Sequence, residues 1–84
     1  MITEEHIPIE QQIGYLFEHR RLCLGRSTYE VAKAIGVTNR TYKKYEDGII
    51  PMPINHFLAL CKTLDVTPAE ILAEIKEPQG GKMK

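Results

Sequence analysis

The chain has 84 residues, 43% of them hydrophobic and 26% charged, and its eleven basic and eleven acidic residues leave a formal net charge of zero. A chain of this size makes one domain and buries only about 60% of its unfolded surface, which sets against a large catalytic cleft. The composition is that of an ordinary globular protein rather than a disordered one, and no apolar run approaches the roughly eighteen residues of a membrane-spanning helix.

The start, MITEEHIPIE, is acidic, unlike a signal peptide, so the expected location is the cytoplasm. Residues 1–8 show no periodic pattern, and Pro8 fits a first helical turn, so they are expected to form a flexible N-terminal arm. From Ile9 onward, Ile13, Leu16, Phe17 and Leu24 recur at three- and four-residue intervals. That spacing predicts a first helix to Leu24, stopped by Gly25.

Ser27 and Glu30 have capping-box spacing, which predicts a second helix starting at about Thr28. Val31, Ala32 and Ile35 give it an apolar stripe, and Gly36 supplies a left-handed stop after about eight residues. Thr38 is a suitable N-cap for a third helix from Asn39 to about Asp47, ended by Gly48. This helix is expected to bury Tyr42 and Tyr45 and to turn Asn39, Arg40, Lys43 and Lys44 outward. Two short helices joined by a glycine turn, the second with a polar, basic face, make a helix-turn-helix pattern suited to a major groove.

The following IIPMP run, residues 49–53, is apolar and too proline-rich for a helix. It either folds back on the core or forms an apolar patch for another protein or subunit. A fourth helix is expected from Ile54 or Asn55, carrying Phe57, Leu60, Cys61 and Leu64 inward. Thr67, Pro68 and Glu70 then combine an N-cap, an N1 proline and a capping-box carboxylate, and the fifth helix is expected to carry Ile71, Leu72 and Ile75 inward. Residues 76–84 read as a flexible tail. The expected fold is all-α with five short helices, with the folded domain spanning residues 9–75.

Zero net charge conceals an uneven distribution. Residues 1–19 sum to −4, residues 20–44 to +6 and residues 45–84 to −2, so the positive charge coincides with the two-helix motif. A local basic face governs phosphate contact more than the total does. The two cysteines, Cys23 and Cys61, are expected to be free thiols. His19 and Cys23 are four apart and could offer two metal ligands, but no second ligand pair accompanies them. His6, His19 and His56 lack a nucleophile or carboxylate constellation, and no glycine-rich phosphate loop is present, so neither catalysis, a cofactor nor a metal is expected.

The run IGYLFEHRRLCLGRSTYEVAKAIGVTNRTYKKYEDG, followed by FLALCKTLDVTPAEIL, resembles the Cro/cI-type (XRE-type) helix-turn-helix domains, relatives of the lambda repressor. The resemblance covers about residues 9 to 75 and implies a compact, lambda-repressor-like DNA-binding domain of a bacterial or phage transcriptional regulator, commonly a repressor that dimerises on two half-sites. It implies base contacts from Asn39, Arg40, Thr41 and Lys44 at the start of the recognition helix and one turn on, with Lys43 reaching a base or a phosphate. Chemistry independently suits the role, since Arg grips guanine O6 and N7 and Asn grips adenine N6 and N7. Thr28 and Thr38 resemble phosphate-holding positions at helix N-termini, with Ser27 and Lys33 as further phosphate candidates.

The resemblance also implies a partly buried Arg21–Glu46 ion pair tying the first helix to the end of the recognition helix. Two departures stand out. Thr28 occupies a position where many relatives have a phosphate-reaching glutamine, and IIPMP replaces polar or basic residues that relatives place against the DNA backbone. The expectation is therefore a non-enzymatic regulator of double-stranded DNA, most simply a homodimeric repressor. The alternative is a protein-interaction module, such as an antitoxin or accessory regulator, that binds a protein partner through residues 49–53 or the last helix.

Overall fold

A computed structural model of the chain describes residues 7–76; residues 1–6 of the expected arm, including His6, and residues 77–84 of the expected tail lie outside the described residues. Five α-helices follow in order: α1 Ile9–Cys23, α2 Thr28–Ile35, α3 Asn39–Glu46, α4 Ile54–Thr63 and α5 Pro68–Ala73. The described residues contain no strand. None of these helices is long and apolar enough to cross a membrane.

The helices begin where local chemistry favours it. The Ser27 hydroxyl accepts the Glu30 N–H at 3.0 Å while the Glu30 carboxylate accepts the Ser27 N–H at 2.9 Å, and Thr67 and Glu70 repeat the exchange at 3.1 and 2.9 Å. Each box satisfies two otherwise orphaned donors of a helix N-terminus. The resulting core runs through all five helices, from Phe17 on α1 and Val31 on α2 through Tyr42 on α3 and Leu60 on α4 to Ile71 on α5. Phe17 and Phe57 meet edge-on with ring centroids 5.6 Å apart, a favourable aromatic geometry.

Three apolar residues of the predicted helical patterns are exposed. Ile9 is 38% exposed, Leu24 is 39% exposed, and Leu72 is 58% exposed. Ile9 is the first residue of α1 and Leu24 its C-cap, so both stand where the helix has run past the core. The six-residue α5 buries Ile71 alone, and the next residue points about 100° away around the helix.

Side chains from α1 bind the ends of the fold together. The Gln12 amide donates to the carbonyl of Lys76 at 2.8 Å and accepts the Lys76 N–H at 2.7 Å, closing the end of the described chain onto the start of α1. Arg20 donates to the carbonyls of Leu64 at 2.9 Å and Asp65 at 2.8 Å. These carbonyls follow α4 and have no continuing helical turn to satisfy them, so a cation there both caps and complements the helix dipole.

Candidate nucleic-acid interface

The pair α2 and α3 is shaped by its turn. Gly36 adopts φ +82°, a left-handed conformation in which a Cβ would be strained, and so reverses the chain within a few residues. Val37 packs half-buried against the core beneath this turn. Thr38 then caps α3, its hydroxyl accepting the Thr41 N–H at 3.1 Å.

From below, α3 is held by α1. Gly14 is buried at this crossing, and a Cβ on it would collide with the backbone carbonyls of Tyr45 and Glu46. Only a glycine lets the two backbones approach this closely. About two turns further along α1, Arg21 forms a two-pronged pair with Glu46, Nε to Oε2 at 2.7 Å and Nη2 to Oε1 at 3.2 Å, with both side chains under a tenth exposed. The remaining prong, Nη1, donates to the carbonyl of Arg26 at 2.8 Å. A single guanidinium therefore joins α1, the end of α3 and the approach to α2. The hydrogen bond to Glu46 pushes the Arg21 pKa further above its ordinary value, so the guanidinium stays charged.

Tyr42 is fully buried beside this pair, and its hydroxyl completes no hydrogen bond within the described residues. Burial first, and the neighbouring Glu46 carboxylate second, raise its pKa well above the ordinary tyrosine value. Tyr45 sits on the same side, its hydroxyl 2.8 Å from His56 Nδ1, which braces the end of α3 against α4. The inner face of α3 is thus fixed by apolar burial and by polar bonds at its C-terminal end.

The outer face is different. Arg40 and Lys43, three residues apart on α3, are exposed, whereas Asn39, Thr41 and Lys44 are half-buried on its flanks. Two of these flanking groups are less free than an outward-facing reading expects. The Asn39 amide oxygen is out of solvent and without a partner among the described residues, and the Thr41 hydroxyl lies 3.1 Å from that of Thr38. Among the phosphate candidates, Ser27, Lys33 and Thr38 are exposed and Thr28 is half-buried. The Ser27 and Thr38 hydroxyls already serve as helix caps.

Two of the seven cations in residues 20–44 are committed to the fold, since Arg20 caps α4 and Arg21 is buried with Glu46. The basic face therefore rests on Arg26, Lys33, Arg40, Lys43 and Lys44. Arg26 is exposed immediately before the α2 cap, and Tyr29, 66% exposed, lies one turn from Lys33 on α2. Sequence reasoning singled out neither residue as a contact. The only signal for Arg26 was its place beside Ser27, and nothing marked Tyr29 as outward.

The loop after Gly48 alternates. Ile50 and Met52 pack against the core, while Ile49, Pro51 and Pro53 are exposed. Away from the motif, Cys23 Sγ and His19 Nε2 lie 3.7 Å apart on the exposed side of α1. No third histidine, cysteine or carboxylate joins them to make a metal-binding group among the described residues. Both cysteines are free thiols, Cys23 exposed and Cys61 buried.

The model of a family described as "Helix-turn-helix domain" matches residues 12–73. No curated protein matches the chain. Among solved structures, a crystal structure of the clp gene regulator ClgR from Corynebacterium glutamicum superposes with a TM-score of 0.78 at 20% identity, over 81% of this chain and 72% of that one. A second ClgR crystal structure from the same organism gives a TM-score of 0.78 at 20% identity, over 82% and 90% of the two chains. At this identity the likeness is one of fold.

Proposed function

The chain belongs to the helix-turn-helix domain family, and on that footing we propose that it is a sequence-specific regulator of transcription that binds double-stranded DNA by inserting α3 into the major groove. The observation that carries this reading is the contrast across α3. Tyr42, Tyr45 and Glu46 are buried beneath it, while Arg40 and Lys43 project from a helix whose position they play no part in holding.

Arg40 reads a guanine edge with its planar fork, and Asn39 reads an adenine after its amide turns outward from its half-buried position. Thr41, Lys43 and Lys44 complete the base-side set. Ser27, Thr28 and Thr38 present helix N-termini to phosphates, and Lys33 adds a cation. Arg26 and Tyr29 extend that set. The protein acts as a repressor by occupying an operator, without catalysis or a cofactor, and as a homodimer on two half-sites. One short helix otherwise offers few contacts.

A gel-shift series against salt tests the reading. Affinity for the preferred duplex falls steeply as salt rises, with a log–log slope of roughly −0.9 for each phosphate neutralised. A flat response, or equal affinity for every duplex, contradicts it. The exposed apolar residues Ile49 and Ile54 favour a second reading, an accessory regulator or antitoxin holding a protein partner at this surface. A stoichiometric partner that stays bound in high salt, with no preferred duplex, distinguishes that reading.

A further inference from the structure

The outward side of α1 carries three exposed side chains spaced one turn apart, Tyr15, His19 and Cys23. Cys23 Sγ lies 3.7 Å from His19 Nε2, and the His19 ring is stacked beside that of Tyr15, with centroids 6.4 Å apart and planes 20° from parallel. A sulfur and a ring nitrogen therefore face each other across one gap. Among the described residues neither side chain makes another hydrogen bond or belongs to the core, so the fold itself gives the pair no task.

We infer that His19 and Cys23 form a binding site for a soft monovalent cation of the copper(I) class, one ion per chain. A thiolate with an imidazole favours soft or borderline metals over magnesium and calcium, which take oxygen ligands. The number of donors then selects among the soft ones. Zinc closes a structural site with four protein ligands, and no group of three or more histidines, cysteines or carboxylates is assembled among the described residues. Copper(I), whose filled d shell imposes no geometry, is satisfied by two ligands, and two are what α1 supplies.

The spacing suits an ion held between the two atoms. With bonds as long as those zinc makes, roughly 2.0 Å to nitrogen and 2.3 Å to sulfur, donors 3.7 Å apart enclose an angle of roughly 115–120°, and parting them by about 0.6 Å makes the arrangement linear. Both side chains are exposed, so their own rotations supply that movement without disturbing the helix. Cys23 is also the last residue of α1, where the negative end of the helix dipole favours a cation. Binding releases the thiol proton to solvent and uses the Nε2 lone pair, which leaves the ring proton on Nδ1, and no electron is transferred. Cys61 does not compete, because it is 3% exposed within the core. The pair includes none of the residues proposed to contact DNA, so the inference stands apart from that reading.

The test is titration of the full, reduced chain with copper(I) in the absence of oxygen, in competition with a chromophoric copper(I) chelator, with native mass spectrometry counting ions per chain. The wild type takes one ion, and ultraviolet absorption from thiolate-to-copper charge transfer rises to that equivalence. Cys23→Ser abolishes both. His19→Ala keeps the thiol yet weakens binding at least about tenfold, while Cys61→Ala binds as the wild type does, with circular dichroism showing each variant folded. Copper(I) left entirely with the chelator overturns the inference, as do unchanged affinity in folded His19→Ala, an ion retained by Cys23→Ser, or one ion shared between two chains.

Discussion

The two sides of α3 differ in how tightly their side chains are committed. Beneath it, Gly14 permits backbone contact, Arg21 and Glu46 make a buried two-pronged bond, and Tyr42 is fully enclosed. Above it, Arg40 and Lys43 are exposed and take no part in holding the helix. On the proposed reading, the difference teaches that position and recognition are carried by separate residues. The lower seam fixes where the helix lies, so the upper face can be chosen for chemistry without a stability cost.

The largest way to break this comparison is to remove one member of the buried pair. Glu46→Ala leaves Arg21 enclosed without its counter-charge and is expected to destabilise the fold by about 3–5 kcal/mol. Chemical denaturation measures this, and replacing Glu46 should also reduce binding to every duplex. A stability change below about 1 kcal/mol would show that the pair is effectively solvated.

Gly14→Ala tests the same seam through shape alone. Its methyl group meets the carbonyls of Tyr45 and Glu46, so α1 and α3 must separate, and a loss of about 1–3 kcal/mol is expected from overpacking. In an unobstructed helix the same change would stabilise, because alanine is the better helix former. The sign of the shift in melting temperature therefore decides whether the close crossing exists in solution.

Arg40→Ala sharpens the other half of the comparison. Its expected loss is about 1–3 kcal/mol of discrimination at one base pair, with melting temperature unchanged. Lys33→Ala should weaken all duplexes alike and reduce the salt slope by about one. If Arg40→Ala unfolds the chain instead, the outer face is not independent of the seam.

The smallest expected effect comes from Tyr42→Phe. It removes a buried hydroxyl that completes no hydrogen bond among the described residues, so stability at neutral pH, compared directly in urea, should change by less than about 1 kcal/mol. The pH dependence is more telling. Tyr42 has a folded-state pKa raised by burial, so its neutral form favours folding fully below the ordinary tyrosine pKa of about 10, and stability is lost as pH rises beyond it. That alkaline loss should be smaller in Tyr42→Phe, as measured by denaturation at pH 9 and pH 11.

Much of the framework was legible because its signals are local. Ser27 with Glu30, Thr38, and Thr67 with Pro68 and Glu70 announce helix starts through bonds closed within three residues. The inward Tyr42 and Tyr45 follow from helical spacing. Gly14 was not legible, because its role depends on a carbonyl some thirty residues away in the chain. Arg20 was counted with the basic face for the same reason, since nothing beside it reveals that it caps α4. The IIPMP loop divides in a way its composition does not reveal, with Ile50 and Met52 folded onto the core and Ile49 and Pro51 left exposed.

The central claim, that α3 is held from beneath so that its outer face can read bases, is tested most directly by selecting duplexes from a random pool with the wild-type chain and with Arg40→Ala. The account predicts that the wild type enriches one motif, and that the variant, equally stable, enriches the same motif with the preference relaxed at a single position in each half. Enrichment of no motif by the wild type, or identical motifs from both proteins, would contradict it.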